Sequence, residues 1–503
     1  MQPPVLAALS TSGEMLRSTT DPMSQGLVAL IIVGVFVLLT LEYAHRVLVI
    51  FSAVALLWSI TYFTPWKLIG FEASKNALDL NVLLLLAGMM AVVGVLKTTG
   101  VFPWAVARLL QRSGGHPTLI QRLVTWFTGT LSAFLDNVTT VIFVTPMAGE
   151  MARRTGVRPV AYLLPMVMAS NIGGTATLIG DPPNVMIGSG AHLEFMDFIR
   201  NVTLPVLFMM VAVDWYSRRY YRADLAVERM TAAVETPALQ DPRLLRWALV
   251  ILAGIFIGFF THGITGMPVS VPAVIGAALM LIVQDVLYLK HSRPTHSERT
   301  HGLLDIIERE IEWPTLSFFA FLFIAVGAAV ETGLIDTMAR GLIWVVDHGR
   351  ASFGLSPEGT LLFTALIICW VSGALSAVID NIPYVAVTIP LVARLVADLP
   401  GDATVLWWAL SLGACLGGNG TLIGASANVT TVGLAEKGGT RITFREFTAF
   451  GSRVAALTLV ISSVFLACYI YLGRTTTTIW GLVALVALVG GGALVRRARG
   501  QTA

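Results

Sequence analysis

The sequence predicts an all-α polytopic membrane protein: two inverted repeats of five spans plus one re-entrant hairpin each, broken helices at mid-membrane, and about 11 full spans in total. Three observations carry this expectation: a composition matched to lipid, an internal duplication, and a one-sided distribution of Lys and Arg. Of 503 residues, 13% are charged and 55% hydrophobic, and the mean hydropathy is +0.77. Soluble chains carry about 25% charged residues, so a soluble multidomain enzyme, a disordered chain, a fibre and a disulfide scaffold are excluded. A net charge of +3 gives no case for nucleic acid as a partner. Cys369, Cys415 and Cys468 lie in apolar surroundings, with neither a disulfide framework nor metal-ligand spacing.

The elements follow in order. Residues 1–24 have no basic n-region and no small-residue cleavage site, so a short extramembrane tail is expected rather than a cleaved signal. Apolar runs long enough to span, about 17–25 residues each, lie at 27–44, 46–63, 81–97, 120–146, 159–198 and 201–216. Together they make residues 1–216 the first repeat, followed by a hydrophilic cytoplasmic linker at 217–245. The runs at 246–262, 269–290, 314–334, 360–393, 403–438 and 453–472 complete a second repeat over 246–472. Residues 473–503 add an extra C-terminal span and a basic tail. A second polar loop at 291–312 carries His291, Arg293, His296, Arg299 and His301, with no ligand geometry.

The duplication is explicit. Leu131-Ser-Ala-Phe-Leu-Asp136-Asn137-Val reappears 244 residues on as Leu375-Ser-Ala-Val-Ile-Asp380-Asn381-Ile. The same offset carries Pro146 to Pro390, Gly173-Gly174 to Gly417-Gly418, Thr177-Leu-Ile-Gly180 to Thr421-Leu-Ile-Gly424, and Asn184 to Asn428. Upstream, Gly94–Gly100 echoes Gly327–Gly333 with a different loop length. Cytoplasmic loops collect Lys and Arg. Arg108, Arg112, Arg153, Arg154, Arg158, Arg218, Arg219, Arg222, Arg229, Arg293, Arg299, Arg309, Arg496, Arg497 and Arg499 share one side only if 120–146 enters and leaves there as a re-entrant hairpin. Its counterpart at 360–393 then enters from the opposite side. An odd number of crossings inverts the second half, with the N-terminus outside and the C-terminus cytoplasmic.

A carboxylate within bilayer-length apolar sequence is retained mostly on substrate or proton pathways. Asp136 and Asp380 are such groups, about 22 Å along their hairpin arms at 1.5 Å per helical residue. Their alternative role is to cap the second arm, since Asp and Asn are both good N-cap residues. Asn137 and Asn381 add amide donors and acceptors in turns that are tolerated at depth only when lining a cavity or buried in protein. The second constellation pairs Asn171-Ile-Gly-Gly-Thr-Ala-Thr-Leu-Ile-Gly-Asp-Pro-Pro-Asn184 with Cys415-Leu-Gly-Gly-Asn-Gly-Thr-Leu-Ile-Gly-Ala-Ser-Ala-Asn428. Adjacent glycines weaken a helix, and Pro182-Pro183 cannot continue one but suits the start of the next. The span therefore breaks, leaving free carbonyls at one half-helix end and free amide hydrogens at the other. Gly-Gly alone is a packing feature; the adjoining polar residues make Asn171, Gly173, Gly174, Thr175, Thr177, Gly417, Gly418, Asn419 and Thr421 candidate solute-binding positions with Asn137 and Asn381. Asp181, opposite Ala425, and Cys415, opposite Asn171, make the pocket asymmetric and are accessory candidates with Asn184 and Asn428. Cys415 reads first as a small packed residue. Lys97, Glu150 and Glu331 read as interfacial side chains.

These motifs resemble the ion transporter superfamily, most closely the branch of arsenite permeases (ArsB), NhaD and the melanosomal P protein. The resemblance covers nearly the whole chain and implies inverted repeats, two re-entrant hairpins, two broken helices and a split between scaffold and transport domains. In the dicarboxylate branch the hairpin tips carry Ser-Asn-Thr, which helps form sodium and carboxylate sites. Here they read Asp136-Asn137-Val138 and Asp380-Asn381-Ile382, which repel an anion and can hold a cation or a proton.

The leading expectation is secondary export of arsenite or antimonite in exchange for protons, in the cell inner membrane. Arsenite is a small uncharged trihydroxide near neutral pH and needs hydrogen-bonding partners; burial disfavours a charged carboxyl, so Asp136 and Asp380 can take up and release protons. A sodium/proton antiporter and a dicarboxylate or other anion transporter are the alternatives. No nucleophile with its base appears at depth, so no enzyme is expected. No cofactor or metal is implied, and no Gly-x-x-x-x-Gly-Lys-Ser/Thr loop occurs, so energy comes from a gradient or a separate cytosolic ATPase partner.

Overall fold

A computed structural model describes residues 21–41, 43–227, 237–292, 306–399 and 401–498. The expectations for residues 1–20, Arg229, Arg293, His296, Arg299, His301 and Arg499 lie outside them. The described residues are helical, with no strand among them. The first half runs α1 (Pro22–Thr40), α2 (Arg46–Phe63), the short α3 (Phe71–Ala77), α4 (Leu80–Thr98), α5 (Val101–Arg112), the hairpin α6 (Pro117–Ser132) and α7 (Asn137–Thr155), the broken pair α8 (Val160–Gly174) and α9 (Pro182–Ala191), and α10 (Phe195–Tyr220). The second half repeats it: α11 (Pro242–Thr265), α12 (Ser270–Ser292), a π-helical turn (Ile306–Glu310), α13 (Trp313–Glu331), α14 (Leu334–Phe353), the hairpin α15 (Pro357–Ser376) and α16 (Asn381–Asp398), the broken pair α17 (Val405–Gly417) and α18 (Ser426–Lys437), and α19 (Phe444–Leu472). The extra helix α20 (Arg474–Ala498) packs on α10 and α19.

Local chemistry sets these ends. Pro22, Pro117, Pro182, Pro242 and Pro357 open their helices, where the missing N–H has no intrahelical partner anyway. Asp21, Asp79, Asp241 and Ser356 accept from the first-turn amides of α1, α4, α11 and α15. The second hairpin arms, α7 and α16, carry Pro146 and Pro390 inside them.

Packing repeats as the elements do. The hairpin arm α6 lies on α8, and α15 lies on α17. Across the halves α7 meets α18 and α16 meets α9, α2 packs on α13 and α12 on α4, and the broken helices α8 and α17 touch each other. The closest approaches are backbone on backbone. A Cβ on Gly173 would strike Gly129, and one on Gly417 would strike Gly373. Without a hydrophobic force between helices in lipid, such small-residue contacts are how spans associate.

Ten helices among the described residues are long and apolar enough to cross a membrane. That count includes both arms of the second hairpin and omits the broken helices and α20. Taking each broken pair as one crossing and the hairpins as none gives the five-plus-five-plus-one arrangement expected. Boundaries move: α10 runs on to Tyr220 and α11 begins at Pro242, so the connection is shorter than 217–245. Arg108 and Arg112 lie on α5 rather than in a loop, and α14 occupies the stretch between the apolar runs at 314–334 and 360–393. Both helices are amphipathic, with a mixed composition that no apolar run reveals.

Ends that alternation puts on one side are indeed joined. On one face Arg158 pairs with Asp224 and Glu446, Arg153 donates to the Gly438 carbonyl, and Gln240 N–H donates to Thr99. On the other, Asn81 accepts from Ser270 N–H, His262 accepts from Phe195 N–H, and Gln25 donates to the Thr332 carbonyl.

Candidate functional site

The two hairpin tips meet at one cavity of about 590 Å³, lined by Asp136, Asn137, Asp181, Asp380, Asn381 and Ser426 at its inner end. Arg46, Lys97, Arg309, Glu310 and Glu312 also line it, and Lys97 lies in the last turn of α4 and Arg46 begins α2 on the face where Arg153 and Arg158 lie.

Asp136 and Asp380 are half-buried, and both cap their second arms. Asp136 Oδ1 accepts from Val138 N–H at 2.9 Å and Thr139 N–H at 3.2 Å, and Asp380 Oδ1 accepts from Ile382 N–H at 3.1 Å. The other oxygen of Asp380 accepts from Ser426 at 3.0 Å. Arg46 donates to Ser426 at 3.4 Å and to Thr315 at 2.8 Å, and Thr315 donates on to Glu312. The second tip is thus tied to a cation from α2 and a polar chain from α13. Among the described residues the first tip has no such tie: the repeat equivalent of Ser426 is Pro182.

Asp181, accessory in the sequence reading, sits at the join. It is 1% exposed. Oδ1 accepts from Asn137 Nδ2 at 3.2 Å, and Oδ2 faces Asn381 Nδ2 at 3.5 Å. Asn137 also donates to Asn171 Oδ1 at 3.2 Å. Behind the cavity wall Asn171 spans the halves, donating to Asn419 Oδ1 at 2.9 Å and Asn428 Oδ1 at 3.0 Å. Asn184 donates to the Thr175 and Thr177 carbonyls, and Asn428 to those of Gly418 and Thr421. These amides therefore satisfy the carbonyls that each helix break frees.

The remaining candidates lie in that same wall and not on the cavity surface. Thr177 donates to the Ala133 carbonyl and Thr421 to that of Ala377, tying each break to its hairpin. Thr175 donates to its own helix at Asn171. Gly174 and Gly418 lie against the backbone of Gly180 and Gly424. Cys415 is buried 3.6 Å from Asn184 Oδ1, which also accepts from Ser411 at 2.7 Å. Among the described residues no cluster of three His, Cys, Asp or Glu could hold a metal ion.

Three residues escaped the sequence reading: Arg46, Thr315 and Ser426. Arg46 opens a spanning run, where a cation signals only an interface, and Ser426 stands in the Ala-Ser-Ala stretch that replaces Asp-Pro-Pro. The departure between the two copies was the available signal for Ser426.

Comparison with known proteins adds the following. Residues 19–413 match the family described as CitMHS, citrate transporter. The chain is 35% identical over 443 residues to an uncharacterized transporter of Mycobacterium tuberculosis, covering 87% of this chain and 96% of that one. A second uncharacterized transporter of that organism is 37% identical over 402 residues, covering 79% and 88%. The P protein of Sus scrofa is 29% identical over 553 residues, covering 93% of this chain and 62% of the longer relative. In structure, the chain resembles the Alcanivorax borkumensis YdaH transporter, described as having an unusual topology, with a TM-score of 0.55 and 15% identity over 90% of this chain and 98% of that one.

Proposed function

This chain belongs to the citrate transporter (CitMHS) family, a multi-pass membrane transporter rather than an enzyme, and we propose that it exchanges protons for a small solute by alternating access. The leading solute is a trivalent arsenic or antimony hydroxide. One observation carries this reading: three carboxylates, Asp136, Asp181 and Asp380, face one cavity together with the tip amides of Asn137 and Asn381. Such a surface repels a free anion and offers proton acceptors beside neutral donors and acceptors, which suits an uncharged trihydroxide. Asn171, Thr175, Asn419, Thr421 and the flanking glycines act in this reading as the wall that sets the shape of the pocket. The arginine-rich face is cytoplasmic by the positive-inside rule, so the cavity faces the cytoplasm and the N-terminus lies outside, in a cell inner membrane. No ATPase partner is needed where a proton gradient supplies the energy.

A second reading, transport of a carboxylate solute such as citrate, is favoured by the family description and by Arg46, a cation that lines the same cavity. Flux into proteoliposomes under an imposed pH gradient separates the readings. Arsenite or antimonite flux that dissipates the gradient supports the first, and citrate flux the second. Gradient-driven movement of sodium alone makes the chain a sodium/proton antiporter and overturns both.

A further inference from the structure

Building on the proton-coupled reading above, we propose that Asp181 is the positioning acid of the cycle, whose proton occupancy decides whether the two hairpin tips are held together. The first observation is what its carboxylate does not do. Asp181 occupies the N-cap position of α9, with extended backbone at φ −137° and ψ 130°, yet its side chain caps nothing. An N-cap Asp ordinarily accepts from its own helix, as Asp136 and Asp380 do. The second observation is where the carboxylate points instead. Its two oxygens face two amides from opposite repeats, Asn137 on one tip and Asn381 on the other. The repeat equivalent is Ala425, which cannot make either link. A single buried side chain therefore joins two otherwise duplicated tips.

The chemistry makes this join sensitive to one proton. A carboxylate has only acceptors, and two amide N–H donors match it. When a proton binds, one oxygen becomes an O–H donor, and the amide facing it loses its acceptor unless that Asn turns its own oxygen around. The Asn137–Asp181–Asn381 bridge between the tips is thereby broken at one end. The groups around Asp181 do not offset this charge. Asp136 faces it from α7, Asp380 from α16 and the Cys415 thiol from α17. Among the described residues no Lys, Arg or His hydrogen-bonds to it; Arg46 reaches Ser426 beside Asp380, and Lys97, Arg309, Glu310 and Glu312 also line the cavity. Proton uptake from the cavity is in this way converted into tip movement, which is what coupling requires.

The test uses the full chain in lipid nanodiscs and needs no solute. Hydrogen–deuterium exchange of residues 133–139 and 377–383, corrected for intrinsic rates, is followed across pH alongside infrared detection of carboxylic-acid bands. In the wild type at least one tip should lose protection by about tenfold or more, as expected from losing a hydrogen bond to a charged group. Asp181→Asn, which resembles the protonated acid, should leave the tips in the released state at every pH and delete one titrating infrared band. Asp181→Glu should keep the step and shift the band. Should Asp181→Asn fail to fold, Asn137→Ala combined with Asn381→Ala should retain the band and lose the step. A protection step that survives in Asp181→Asn, or wild-type tips indifferent to pH, overturns the proposal. Absence of arsenite flux from a protein that shows the step overturns only the solute assignment.

Discussion

Asn184 and Asn428 perform the same task in the two halves: each side-chain amide donates to two backbone carbonyls of its own broken helix. Asn184 reaches Thr175 and Thr177 at 3.0 and 2.9 Å, and Asn428 reaches Gly418 and Thr421 at 2.8 and 2.9 Å. A break within a membrane span survives only if its freed polar groups find partners. Asn184→Ala strands two buried carbonyls and Asn428→Ala one buried and one half-buried carbonyl, so a loss of about 2–4 kcal/mol is expected at about 1–3 kcal/mol per unsatisfied group with partial relief. Thermal unfolding in detergent should show both variants well below the wild type, and a drop in only one would refute their equivalence.

The tip acids cap α7 and α16, and this separates structure from transport. Asn caps a helix as well as Asp does, so Asp136→Asn and Asp380→Asn should insert and melt within about 0.5 kcal/mol of the wild type. Gradient-coupled flux should nevertheless fall at least tenfold in each. Full flux in both variants would remove the proton role.

Gly173 and Gly417 lie where their spans touch the hairpin arms backbone to backbone. Gly173→Ala and Gly417→Ala force rigid main chain apart, and overpacking of this kind costs about 1–3 kcal/mol and sometimes more. Both should lower membrane yield and melting temperature. Gly433→Ala, with open space around its added carbon, should not.

Arg46 tests the solute class. Its hydrogen-bond partners are hydroxyls, its guanidinium lies over the Phe318 ring and it is half-exposed, so Arg46→Ala should cost about 1 kcal/mol of stability. If the solute is the neutral trihydroxide, KM should change less than about threefold. A rise in KM of tenfold or more, with kcat held, is the signature of a lost counter-charge worth about 1.4 kcal/mol and would favour the carboxylate reading.

Much was legible in the chain. Spans, breaks and hairpins follow from apolar length, from Pro and Gly placement and from the repeated Asp-Asn and Gly-Gly pairs, because lipid leaves a backbone few solutions. The amphipathic helices α5 and α14 were missed for the opposite reason: a helix lying half in polar surroundings has no run of apolar residues to announce it.

By itself the sequence determined the transporter architecture, the two-fold duplication and the identity of the polar groups at depth. What the tertiary structure alone decided is how those groups divide. Asn184 and Asn428 are consumed closing their own helix breaks, and Asp136 and Asp380 cap helices while facing the cavity. Asp181, which looked peripheral because its twin is Ala425, becomes a contact between the two hairpin tips. Spacing along a chain fixes which face of one helix a residue occupies, but two tips some 244 residues apart meet only when the whole fold closes around them. No local pattern encodes which carboxylate will lie at that meeting point.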